Sequence, residues 1–248
     1  MDYLDWDEAV ELVEPHVVRI MTPEGSGTGF LVSLSENGGI CGIATAAHVV
    51  AHAHYWEQPI RIEHKASGKT LLIRSTDRAI FPDDSKDTAG IVFEKKDLAL
   101  PDKPLDLSPE GKFLKVGLEI GWLGFPAVSS GSMCFFSGRV SAYRENQLEY
   151  LVDGVAINGV SGGPAFWNGG SNVTLMGVLS AYIANRATGE TLPGLAVVTS
   201  VEQFHELSKV FKSVDEAKKK ETPPEPPNTK PETPSPVLNR TLSKRRTG

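Results

Sequence analysis

Cysteine is nearly absent from this chain: the 248 residues hold two, Cys41 and Cys134. That excludes a small scaffold stapled by several disulfides and fits a reducing compartment, with one Cys41–Cys134 bridge the sole pairing left open. Basic charge is also short. There are 25 Lys and Arg against 31 Asp and Glu, a formal net charge of -6. This argues against nucleic-acid and anionic-membrane partners, which both select a basic surface. No apolar run approaches the roughly 20 residues of a membrane-spanning helix. The opening Met1-Asp2-Tyr3-Leu4-Asp5-Trp6-Asp7 lacks the basic-then-apolar pattern of a secretory leader. The cytoplasm is therefore the expected location. No cofactor is called for, and no metal: His48 and His52 could share a helix face near His54, but neither a Cys pair nor His-Glu-x-x-His accompanies them. His16, His64 and His205 are expected to have no chemical role. No repeat at solenoid periods is present.

What is present is a β texture. Residues 5–14 place Trp6, Val10 and Val13 on one face, acidic residues between them and Pro15 after them, so a short helix is expected within an N-terminal segment 1–16. From Val17 onward, short β-branched and aromatic runs alternate with Gly, Pro, Ser and Asp clusters. The runs predict strands at 17–21, 29–33, 40–45, 60–63, 70–75, 90–94, 119–124, 138–144, 148–152, 175–180 and 194–199. Many short strands with turns between them indicate an all-β sandwich or a pair of barrels. Ser200 with Gln203 has the form of a capping box. Val201, Phe204, Leu207, Val210, Phe211 and Val214 then recur at helical spacing, predicting a C-terminal helix over 200–214. Residues 215–248, rich in Pro, Thr, Glu and Lys, bury too little to offset their ordering entropy and are expected to be disordered, free to bind a protein partner.

Two stretches carry chemistry. Gly159-Val160-Ser161-Gly162-Gly163-Pro164 offers a serine on a tight turn whose glycines let the backbone curl, with the N–H groups of Gly159 and Ser161 available as an oxyanion hole. The same letters also suit an ordinary hairpin loop. Upstream, Ile43-Ala44-Thr45-Ala46-Ala47-His48 delivers one histidine at the end of a strand of small residues. A serine hydroxyl needs a base at neutral pH, and a neutral imidazole is the side chain best suited to take its proton.

Together Thr45-Ala46-Ala47-His48 and Gly159-Val160-Ser161-Gly162-Gly163-Pro164 resemble the two signature blocks of trypsin-like serine proteases, nearest to the bacterial HtrA/Deg group. Gly25-Ser26-Gly27-Thr28-Gly29-Phe30 resembles that group's glycine-rich first strands. Leu118–Pro126 is similar to the strand opening its second barrel, and Ser137-Gly138-Arg139-Val140-Ser141 to the strand that follows. Val160 stands where the group usually has Asn or Asp. No PDZ-type domain is expected in the short polar tail.

The resemblance implies two six-stranded antiparallel β-barrels within residues 17–214, barrel one over about 17–105 and barrel two over about 112–199, with the site in the cleft between them. It implies a serine endopeptidase acting on polypeptide substrates, with Ser161 as nucleophile, His48 as base and an aspartate as orienter. Asp87, followed by the apolar strand Ala89–Phe93, is favoured over Asp97 and Asp84, because Pro101 and Pro104 leave Asp97 too little chain for a strand. Val155, Val178, Leu179, Ser180 and Ala181 are the expected walls of the primary pocket, favouring small or aliphatic side chains; Asp153 nearby is expected to be structural. The alternative function is an inactive relative that uses the same fold to bind peptides or proteins.

Overall fold

The computed structural model describes residues 4–129, 131–184 and 191–221. Asp5 caps helix α1 (Trp6–Val13), its N–H donating to the Glu8 carboxylate at 3.2 Å, and Pro15 follows in a single 3₁₀ turn. The chain then builds β1 (Val17–Thr22), β2 (Gly25–Leu34), β3 (Ile40–Thr45), helix α2 (Ala47–Tyr55), β4 (Ile60–His64), β5 (Lys69–Ile73), β6 (Arg78–Asp83) and β7 (Thr88–Glu94). These seven strands form one antiparallel sheet in the order β5-β4-β1-β2-β3-β7-β6. Its inner face buries Val18, Ile20, Leu31, Ile43, Ile62, Ile91 and Phe93, the alternate residues of the strands.

The second half continues with β8 (Asp106–Leu107), β9 (Glu119–Gly124), β10 (Cys134–Arg144), β11 (Glu149–Asp153), β12 (Pro164–Trp167), β13 (Thr174–Ala184) and β14 (Thr191–Ser200). Here β12 pairs with both β9 and β13, which closes β12-β9-β10-β11-β14-β13 into a ring of six. Strand β8 lies parallel to β13 outside the ring. The expected double-barrel architecture is therefore present, with one correction. The first sheet has seven strands and curls without closing, with β5 and β6 as its edges among the described residues. Strand β6 carries Pro82, which has no N–H to offer a further strand.

A third cluster lies between the halves. Ala9 and Val13 of α1 and Val201 and Phe204 at the start of the last helix pack with Phe30 and Val32 of the first sheet and Leu123, Phe125 and Phe166 of the barrel. Both terminal helices are thus wedges that fix one half against the other.

That last helix, α3 (Glu202–Glu221), departs from expectation at both ends. Ser200 is no cap: it is the last residue of β14, its N–H donating to the Leu148 carbonyl at 2.8 Å. At the far end the helix passes 214 and runs through strong helix formers. The Asp215 carboxylate accepts the Glu36 N–H at 3.0 Å, and Lys219 pairs with Glu36 at 2.7 Å. The remaining tail, 222–248, lies outside the described residues. Cys41 is buried in β3 and Cys134 begins β10; both are free thiols, so the bridge left open by the sequence is not formed. No described helix is long and apolar enough to cross a membrane.

Candidate active site

Strand register brings the first two residues together. β3 pairs antiparallel with β7, Thr45 opposite Ala89. Two residues beyond that pair in each direction lie Ala47 and Asp87, so Asp87 meets the first turn of α2, where His48 sits. The Asp87 carboxylate accepts from His48 Nδ1 at 2.8 and 3.0 Å and from the His48 backbone N–H at 3.0 Å. From the other half, the Ser180 hydroxyl donates to the same carboxylate at 2.5 Å. Asp87 holds a left-handed backbone, φ 50°, which a non-glycine residue keeps only when its surroundings over-determine it. Those three donors do so. Burial pushes the Asp87 carboxyl up, but the bonds from the His48 ring, Ser180 and the His48 amide, with the His48 charge, outweigh it and hold the group below the usual carboxylate range. With Nδ1–H given to Asp87, His48 Nε2 is the nitrogen left to accept a proton.

Ser161 lies across the cleft on the loop before β12. That loop is held to both halves. Thr28 of β2 donates its N–H to the Ser161 carbonyl at 2.8 Å and its hydroxyl to the Gly159 carbonyl at 2.8 Å, while the Phe125 N–H donates to the same hydroxyl at 3.0 Å. The Gly162 N–H donates to the Leu179 carbonyl of β13 at 2.6 Å. Gly162 has φ +87°, and a Cβ there would run into the Thr28 carbonyl and Thr45 Oγ1, so only glycine fits.

Peptide planarity then aims two N–H groups. The Asn158 carbonyl accepts from Ala127 N–H at 2.7 Å, so the Gly159 N–H of the same peptide unit points the opposite way. The Val160 carbonyl accepts from Gly163 N–H at 2.9 Å, which turns the Ser161 N–H likewise. Neither N–H has an acceptor among the described residues. Gly159, Ser161, Asn158, His48 and His52 line one cleft of about 240 Å³. The Ser161 hydroxyl makes no hydrogen bond among the described residues, so serine and imidazole share the cleft without being joined.

Among the described residues, the side chains expected to wall the primary pocket line no common cleft. Val178 and Leu179 are wholly buried in the packed core, Ser180 is committed to Asp87, and Val155 is 51% exposed. Of Ala181 only the strand backbone is described, its side chain lying outside the described residues. Val178 packs into the cluster between the halves and Leu179 into the barrel core, and the β13–β14 register shifts just beyond them, between Leu179 and Ala181. Asp97, Asp84 and Asp153 are exposed, and among the described residues the carboxylate that bonds His48 is that of Asp87. Val160 is fully buried beside Trp122 and Leu179, filling apolar space. No group of three His, Cys, Asp or Glu able to hold a metal occurs among the described residues. His16, His64 and His205 each set a ring nitrogen within 3.0 Å of a backbone carbonyl, those of Lys103, Pro15 and Ser108.

Two residues of the site escaped sequence reasoning. Ser180 reads as a pocket wall and proves to be an Asp87 partner. Thr28 reads only as one letter in a glycine-rich run. Their signals lie in bonds to residues 93 and 131 positions away, which local pattern does not carry.

Comparison with known proteins agrees with this fold. In fold, the chain is similar to an inactive form of the Rv3671c protease, at 21% identity and TM-score 0.57, covering 85% of this chain and 98% of that one. A serine-to-alanine mutant of Rv3671c from M. tuberculosis, also in an inactive form, matches at 21% identity and TM-score 0.57, over 86% of this chain and 96% of that one. No curated protein matches the sequence. The family profile described as the trypsin-like peptidase domain matches residues 27–175, more than half of the chain and spanning His48, Asp87 and Ser161. The chain belongs to the trypsin-like peptidase domain family.

Proposed function

We propose that the protein is a serine endopeptidase that cleaves polypeptides through an acyl-enzyme. Ser161 attacks the scissile carbonyl while His48 Nε2 takes its proton. Asp87 holds the imidazole tautomer and stabilises the imidazolium, and the Gly159 and Ser161 N–H groups receive the oxyanion. His48 then protonates the leaving nitrogen, and water repeats the sequence to release the acid. The observation that carries this reading is the Asp87-bound His48 sharing one cleft with Ser161, where the Gly159 and Ser161 N–H groups have no acceptor among the described residues. Donors left without a protein acceptor and fixed by their own peptide units are what a developing negative charge requires. No cofactor takes part. Two free cysteines and a net charge of -6 support a cytoplasmic setting without a nucleic-acid partner.

A second reading, a binding module built on the same fold, draws on the missing bond between Ser161 and His48. Hydrolysis of casein by the purified chain and by Ser161→Ala separates the two. Cleavage lost only in the variant supports the peptidase, whereas equal inactivity of both supports the binding module.

A further inference from the structure

Among the described residues, the cleft at Ser161 extends past His48 to His52, one turn further along α2, and to Thr22 and Glu24 in the β1–β2 hairpin. Glu24 is the one carboxylate on this wall among the described residues. It is 61% exposed, with Oε1 3.8 Å from His52 Nδ1. Thr22 lines a second groove as well, of about 230 Å³, whose other walls are Met21, Pro23, Pro59, Arg61 and Leu72. The two depressions therefore adjoin, the first acidic and the second apolar with a cation at its side.

The peptidase reading, on which this inference rests, assigns the part of the substrate that lies there. The scissile carbonyl oxygen must reach the Gly159 and Ser161 N–H groups, and the departing nitrogen must reach His48 Nε2. The chain that follows that nitrogen runs out over His48 and His52. We propose that the protein selects substrates by the residues after the scissile bond: Lys or Arg facing Glu24, then an aliphatic side chain in the groove of Met21, Pro23, Pro59 and Leu72. Arg61 repels a cation from the second groove, which fixes the order of the two side chains. Glu24 is solvated, so its effect has the size of an exposed ion pair, about threefold to fivefold in kcat/KM.

The test is cleavage-site profiling of the full chain on peptides randomised on both sides of the bond, run alongside fluorophosphonate labelling. The wild type should enrich Arg and Lys, then Leu, Ile or Val, on the leaving side. Glu24→Gln should lower the Arg-to-Ala preference ratio threefold to fivefold, and Glu24→Lys should turn it toward Asp and Glu. Leu72→Ser should erase the aliphatic preference at the next position. Both positions are solvent-exposed, so folding is not at stake. Labelled, cleaving enzyme with a profile unmoved by Glu24→Lys overturns this inference alone. A wild type that neither labels nor cleaves overturns the peptidase reading, and this inference falls with it.

Discussion

Replacing Thr28 by valine tests how the two halves hold the loop that carries Ser161. The substitution keeps shape and volume and removes one hydroxyl. In the native protein that hydroxyl accepts the Phe125 N–H and donates to the Gly159 carbonyl, and Thr28 is fully buried. Thr28→Val leaves a donor and an acceptor unsatisfied where water does not reach, at about 1–3 kcal/mol each, so a loss of about 2–6 kcal/mol is expected. Relaxation of the loop favours the lower half of that range. For a domain of this size each kcal/mol lowers Tm by about 2–4 °C, so the variant should melt roughly 5–15 °C below wild type. Thr28→Ser is the control. It keeps the hydroxyl and removes one methyl group, worth about 1 kcal/mol. The assay is urea and thermal unfolding of the three proteins, with peptide hydrolysis measured beside them. Stability should fall in the order wild type, Thr28→Ser, Thr28→Val, with the larger step at valine. A valine variant as stable as the serine variant would refute the claim that this hydroxyl ties the loop in place.

Asp87→Asn should reduce kcat to about 10⁻⁴ of wild type near neutral pH, while Asp97→Asn stays within several-fold; hydrolysis rates of the two variants check the ranking. Gly162→Ala should fold poorly or lose activity, because the left-handed backbone alone costs at least about 1 kcal/mol and the added Cβ meets the Thr28 carbonyl; yield and melting temperature report it. Burial holds His16 and His64 below their ordinary 6.5, so below that pH the unfolded chain takes up protons that the folded chain refuses. Stability should therefore be unaffected by these groups above about pH 7 and fall as pH drops through 6 toward 5, with a flatter decline in His64→Gln.

Much of the site was legible because the chemistry restricts which residues can carry it. A serine within a glycine run and a histidine after a small-residue strand stand out by type alone. The acid was legible only to a short list. Asp97 and Asp84 stood on it beside Asp87, and what sets Asp87 against His48 is the Thr45–Ala89 register, a pairing between strands. Strands β6 and β12 were hidden, one by weak alternation and Pro82, the other by its four residues directly after the glycine turn. The burial of Val178 and Leu179 was hidden for a further reason. Val178 and Leu179 are neighbours on one strand, yet each finds a core of its own, one between the halves and one inside the barrel. The bulge beside them then turns Ser180 toward Asp87. Helix α3 outran its apolar stripe because Asp215 and Lys219 found partners at Glu36, a hairpin residue distant in sequence.

The central claim is that Ser161 is a nucleophile activated by His48 and Asp87. Reaction of the native protein with a fluorophosphonate, read by intact mass and peptide mapping, tests it most directly, because the reagent is slow toward an ordinary serine. The account predicts one adduct per chain, on Ser161, absent in Ser161→Ala and greatly slowed in His48→Ala. A folded wild-type protein that remains unmodified, or that is modified equally fast when His48 is removed, would contradict it.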